Sequence, residues 1–266
     1  MTALEHDTFA PKDDGLFVAS LAKGFRVLES FHGRRRRLTL KEIAELAQIG
    51  MSATQRAVST LTTLGYLAKD EQTRTYRLTP KTLALCWEYL SNSDLHDVAL
   101  PIIRELAERF GETVNLSERL NNELVVVGRA PGHHAVPVNV GIGTRYPLVS
   151  TAPGLAILAC GDPEETRRFV DSVTIVPWTK HTITSKAEVL AEIDKIRLDG
   201  FAVGRQLMHD GHVSIAAPIL DGFSGSAVAA INLSAYMERW TQIEVMSTLV
   251  PAVKEAANAI CAMLRH

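Results

Sequence analysis

The chain has 266 residues, of which 46% are hydrophobic and 22% charged, with a formal net charge of −2. This is the composition of an ordinary soluble globular protein with room for two domains and a sizeable core. No apolar run approaches the roughly 20 residues that a membrane-spanning helix needs.

The small net charge hides an asymmetry. Residues 17–81 carry 12 Lys and Arg against 5 Asp and Glu, a net of +7, and the remainder carries −9. A basic module joined to an acidic one fits nucleic-acid binding confined to the first. Cys86, Cys160 and Cys261 form no CxxC pair and no disulfide framework, which fits a reducing cytoplasm. Each reads as a small buried hydrophobe.

In chain order, residues 1–16 begin MTALEHDTFAPKDDG, which is acidic, polar and unlike a secretory signal, so they read as a flexible tail. An amphipathic helix over 18–31 would place Leu21, Phe25, Leu28 and Phe31 against a core. Arg34, Arg35, Arg36 and Arg37 follow, a run suited to a phosphate backbone or to a solvated loop.

Residues 38–78 read as two short helices, a turn and a hairpin. Thr39 and Glu42 have the spacing of a capping box, and Ile49-Gly50-Met51 makes the turn. Ser52 or Thr54 then caps a second helix whose inward positions are Ala57, Val58, Leu61 and Leu64, and Gly65 stops it. Strand-like runs at 66–68 and 75–78 flank a polar tip containing Lys69 and Arg74. The pattern is that of a winged helix-turn-helix, with its second helix in the major groove and its wing along the backbone. Gln55 and Arg56 suit base edges, and Ser52, Thr54, Ser59 and Thr60 suit phosphates or bases. A three-helix core with a merely solvated polar face has the same pattern.

A connecting helix over 79–94 opens at Thr79-Pro80 and carries Leu83, Leu85, Trp87 and Leu90. From 95 onward helices flank strand clusters. A helix over 95–110 closed by Gly111 leads to a hairpin turning at Asn121-Asn122. A third strand follows over 135–140, and Thr151-Ala152-Pro153-Gly154 opens a helix of small residues. Helices over 163–173 and 185–198, strands over 201–206, 212–220 and 226–234, and a closing helix over 238–264 complete the chain. The expected class is α+β with a mainly antiparallel sheet.

Few residues suggest chemistry. His209 and His212 lie three apart, but the sequence places no third metal ligand. Gly141-Ile142-Gly143 lacks the setting of a dinucleotide fingerprint, and Ser150-Thr151 does not make a hydrolase elbow. Polar residues do stand at apolar places: Asn232 and Ser234 share one strand face, Ser214 interrupts another strand, and Thr151 precedes the small-residue helix. Such groups need partners, either a small oxygenated ligand or the backbone itself.

From residue 17 to 264 the chain resembles the IclR-type bacterial transcription regulators. The resemblance rests on SLAKGFRVLESF, LTLKEIAELAQIGMSATQRAVSTLTTLGYL, VGIGTRYPLVSTAPGLAILA and GHVSIAAPILDGFSGSAVAAINLS, in that order and spacing. The run YRLTPKTLALCWEYLSNSDLHDVALPIIREL is most similar to the subgroup controlling aromatic-acid catabolism, such as protocatechuate and hydroxybenzoate regulators.

The resemblance implies a winged helix domain at 17–78, a linker helix at 79–94, and a GAF-like effector domain at 95–266. It also implies dimers or tetramers on operator DNA, with neither catalysis nor an obligatory cofactor. By position the effector would meet Thr151, Ala152, Pro153, Leu155, Gly204, Gln206, Leu207, His209, Ser214, Ala216, Asn232 and Ser234. Arg205-Gln206-Leu207 stand where many members carry acidic residues, so an anionic or apolar ligand is expected, and an aromatic carboxylate is both. The rival class is a small-molecule sensor or ligand-modifying enzyme for an aliphatic acid, with an incidental helix-turn-helix.

Overall fold

The computed structural model describes residues 16–32, 37–134, 140–222 and 225–264. The chain divides into two compact units that meet between Asn92 and Ser93. Arg34, Arg35, Arg36 and most of the strand expected at 135–140 lie outside the described residues.

The first unit runs α1 (Ala19–Glu29), β1 (Leu38–Thr39), α2 (Leu40–Ala47), α3 (Met51–Thr63), β2 (Leu67–Asp70), β3 (Thr75–Leu78) and α4 (Lys81–Ser91). The capping box forms: Thr39 Oγ1 accepts from the Glu42 amide, and Glu42 Oε2 accepts from the Thr39 amide. Val27, Leu38, Ile43, Val58, Leu61 and Leu67 make the core.

Several expectations are corrected here. Leu21 and Phe25 are exposed, because Val27 is the α1 residue that enters the core. Leu64 is exposed as well, since α3 stops before it and Gly65 turns the chain at φ +80°. The α3 N-cap is Gly50, so neither Ser52 nor Thr54 caps that helix. Cys86 is exposed on α4, a helix with no buried residue. The short strand β1, unforeseen, pairs antiparallel with β3 and makes the wing a three-stranded sheet.

The second unit begins with α5 (Asp94–Phe110), closed by Gly111 in the left-handed region. Then come β4 (Thr113–Leu120), β5 (Glu123–Ala130), β6 (Arg145–Pro147), a short 3-10 turn, α6 (Ala152–Ala159), α7 (Pro163–Ser172) and α8 (Lys186–Asp199). After them run β7 (Ala202–Arg205), β8 (His212–Leu220) and β9 (Ala227–Tyr236). The closing helix is divided: α9 (Gln242–Glu244), a π turn over Val245–Leu249, and α10 (Val250–Leu264).

The six strands form one antiparallel sheet in the order β6-β5-β4-β9-β8-β7. Helices α5 and α10 contact β4, β5, β8 and β9. Helix α6 contacts β7, β8 and β9, with Ala202, Ala216 and Ala230 in its hydrophobic cluster. Small residues there allow the close approach that buries all of α6. A Cβ on Gly154 would lie 2.0 Å from the Leu148 carbonyl oxygen, so only glycine fits that entry to the helix.

Candidate functional site

The second unit holds a cavity of about 110 Å³ beside the N-terminal end of α6. Strand register builds its floor. One row across the sheet runs Arg129 on β5, Asn115 on β4 and Asn232 on β9. The next runs Thr113 on β4, Ser234 on β9, Ser214 on β8 and Gly204 on β7. Successive strand residues alternate faces, so Thr113, Asn115 and Ser117 face the cavity while Val114 and Leu116 face away.

β5 breaks that alternation. Leu116 pairs with Gly128 and Ser117 with Val126, which leaves Val127 as an extra residue. This bulge shifts the parity, so Leu124, Val126 and then Arg129 all line the cavity. Tyr146 reaches it from β6.

The loop after β7 forms another wall with Gln206, Leu207, Met208 and His209. Gln206 takes a left-handed φ of 55°, and its Oε1 accepts from the Gly211 amide at 2.8 Å. Thr179 Oγ1 donates to the Gln206 carbonyl and Thr182 Oγ1 to the Leu207 carbonyl. The loop is thus tied at both residues, which places Leu207 and His209. A Cβ on Gly204 would meet Leu207 Cδ1 at 2.8 Å and the Ala152 Cβ at 3.2 Å, so that glycine sets the wall's width.

Of the residues expected at an effector site, Thr151, Ala152, Pro153, Gly204, Gln206, Leu207, His209, Ser214, Asn232 and Ser234 line this cavity. Leu155 and Ala216 do not. Both are buried in the cluster around α6. Thr113, Asn115, Ser117, Arg129, Tyr146 and His212 are lining residues that the sequence reading missed. A period-two polar stripe at 113, 115 and 117 carried a signal for the first three.

The polar groups divide by what they bond. Asn232 Nδ2 donates to Ser214 Oγ at 3.0 Å and to Ser234 Oγ at 3.1 Å. Thr151 Oγ1 accepts from the Gly154 amide and caps α6. Buried Thr113 and Ser117 have hydroxyls with no hydrogen-bond partner among the described residues. Arg129 Nη1 donates to Asn115 Oδ1 at 2.9 Å. No described lining residue is acidic, and Arg129 is the one Lys or Arg among them. Burial pushes the Arg129 pKa down, opposed by Tyr146, and burial raises Tyr146, opposed by the charge of Arg129. Burial also lowers His209, and burial together with His209 lowers His212, so both imidazoles favour the neutral form.

In the first unit Ser52, Gln55, Arg56, Ser59 and Thr60 are exposed along α3. Thr54 is not: it is fully buried, and its Oγ1 donates to the Gly50 carbonyl at 3.2 Å. Its expected contact to DNA is corrected on that ground. Thr39 spends its hydroxyl on the capping box. Arg37 is ion-paired with Asp70 and Lys69 with Glu71, while Arg74 is exposed at the wing tip.

A helix-turn-helix with a three-stranded wing, together with a separate sheet domain enclosing a polar cavity, defines a two-domain regulator of the ligand-sensing kind. The IclR helix-turn-helix domain matches residues 20–71, and the bacterial transcriptional regulator IclR C-terminal domain matches residues 87–262. The chain belongs to the IclR family of bacterial transcriptional regulators.

It is 31% identical to the Pca regulon regulatory protein of Pseudomonas putida over 93% of this chain and 84% of that one. It is 29% identical to the HTH-type transcriptional regulator KdgR of Escherichia coli, over 94% of each chain. The p-hydroxybenzoate hydroxylase transcriptional activator of Acinetobacter baylyi is 27% identical over 92% of this chain and 88% of that one. A transcriptional regulator structure from Rhodococcus sp. RHA1 superimposes with a TM-score of 0.81 at 33% identity, covering 94% of this chain and 99% of that one.

Proposed function

We propose that the protein is a cytoplasmic regulator that binds operator DNA as a dimer or tetramer and responds to an aromatic carboxylic acid. The acid occupies the cavity of the second unit, and its binding changes operator affinity without any catalysis. One observation carries this reading: among the described residues, a single cation without an acidic partner shares a half-open cavity with two unpartnered hydroxyls and the apolar walls Leu124, Val126, Pro153 and Leu207. A half-buried charge and buried hydroxyls cost stability where nothing bonds them, and a carboxylate on an apolar body satisfies both.

Two relatives support the same class by their names, one of the Pca regulon and one of p-hydroxybenzoate hydroxylase expression. Exposed Gln55, Arg56, Ser59 and Thr60 on α3 and Arg74 on the wing supply the DNA contacts, and α4 carries the coupling.

The test is a titration of a duplex selected from a random pool, with and without 4-hydroxybenzoate. A ligand can shift the equilibrium only through different affinities for the two states. An apparent affinity that moves at least about tenfold, in the 1–3 kcal/mol range of allosteric coupling, supports the reading. An unchanged curve at saturating ligand contradicts it.

A further inference from the structure

We propose that Arg129 is the carboxylate receptor of this cavity, a role that rests on the aromatic-acid reading above. Three independent features converge on it. First, the β5 bulge is what aims Arg129 inward. Strict alternation from Leu124 and Val126 would have turned Gly128 and Ala130 to the cavity and Arg129 away. The bulge interrupts a ladder of an inner strand, a cost that has no return in the packing of Arg129, which stays half-buried.

Second, Arg129 keeps donors to spare. A guanidinium carries five N–H groups in a planar fork matched to a carboxylate. Asn115 takes one of them, and among the described residues no acidic side chain pairs with Arg129. Tyr146 lines the same cavity, and its phenol is a second donor to the same anion.

Third, the other anion site in reach is weak. The N-terminal end of α6 points at the cavity, where free backbone N–H groups would ordinarily hold a carboxylate. Here Pro153 has no N–H and the Gly154 amide is spent on Thr151 Oγ1, which leaves the first turn only the Ala152 amide to offer. The charge that a carboxylate requires comes from β5 instead of the helix.

The experiment is calorimetry on the full chain with 4-hydroxybenzoate, its neutral isostere 4-hydroxybenzamide, and pyruvate as an aliphatic acid. Wild type is expected to favour the acid over the amide by about 100-fold, the scale of a desolvated charge pair. Arg129→Met should lower acid affinity by about that factor and change amide affinity by less than about threefold. Arg129→Lys should restore part of the acid preference, because it returns the charge without the fork.

Equal acid affinity in wild type and Arg129→Met overturns the assignment. So does a parallel loss of acid and amide that Arg129→Lys leaves uncorrected, which is the signature of a structural role. If wild type binds pyruvate but no aromatic acid, and Arg129→Met abolishes that binding, the aromatic reading falls and the Arg129 assignment stands. If wild type binds none of the carboxylates, both fall.

Discussion

Asn115 and Arg129 are register partners across β4 and β5, and the Asn115 carboxamide oxygen accepts from the Arg129 guanidinium at 2.9 Å. Asn115 therefore fixes the plane of the one Lys or Arg among the described lining residues. Asn115→Ala should leave that plane free to turn and weaken 4-hydroxybenzoate binding by about tenfold, the worth of one hydrogen bond to a charged group. Calorimetry reads this directly, and an affinity unchanged within twofold would remove Asn115 from the site.

Width is set on the opposite wall. A methyl group on Gly204 meets both Leu207 and Ala152, which line the cavity. Leu207 can move only inward or against a loop tied down by Thr179 and Thr182. Gly204→Ala should lower ligand affinity with the protein still folded. A ligand affinity equal to wild type in that variant would show that Leu207 yields outward.

The pH dependence follows from His209 and His212. Burial holds both below the usual imidazole value of 6.5, so the folded state binds fewer protons than the unfolded one as pH falls. The stability of the second unit should therefore be full above about pH 6.5 and decline as pH drops towards the folded-state values. His209→Asn with His212→Gln should flatten the thermal midpoint between pH 7 and 5. An equally steep decline in the double variant would place the titrating groups elsewhere.

Arg56 and Thr54 sit two residues apart on α3 and should behave oppositely. Exposed Arg56, changed to Ala, should weaken operator binding by about 1–3 kcal/mol if it reads a base, with an unchanged melting midpoint. Buried Thr54, changed to Ala, should cost about 1 kcal/mol of stability through its lost bonds to the Ile49 and Gly50 carbonyls. A filter-binding titration beside a melting curve separates the two. Loss of operator affinity in Thr54→Ala at intact stability would return that hydroxyl to the DNA face.

Local signals were legible in the sequence and long-range ones were not. Thr39 and Glu42 announced their capping box because both partners lie within one turn. Asn232, Ser234 and Ser214 stood out as polar residues on apolar strands, and they do hydrogen-bond one another. Arg129 was hidden, since its direction depends on the extra residue Val127, which only the pairing of β5 with β4 reveals. Leu155 was misplaced for a related reason. Every position of α6 is apolar and buried, so periodicity does not separate the side facing the cavity from the sides facing the core. Leu21 and Phe25 had the spacing of a core stripe, yet α1 turns Val27 inward and leaves both exposed.

The most direct measurement is the thermal midpoint of the full chain across a panel of hydroxybenzoates, protocatechuate and phthalates, with glyoxylate and pyruvate alongside. A ligand present at about 100 times its dissociation constant adds about 2.7 kcal/mol. For a unit of this size that raises the midpoint by roughly 5–10 °C. At least one aromatic acid should produce that shift while both aliphatic acids leave the midpoint in place. A midpoint raised by glyoxylate or pyruvate and flat across every aromatic acid would contradict an aromatic carboxylate as the effector.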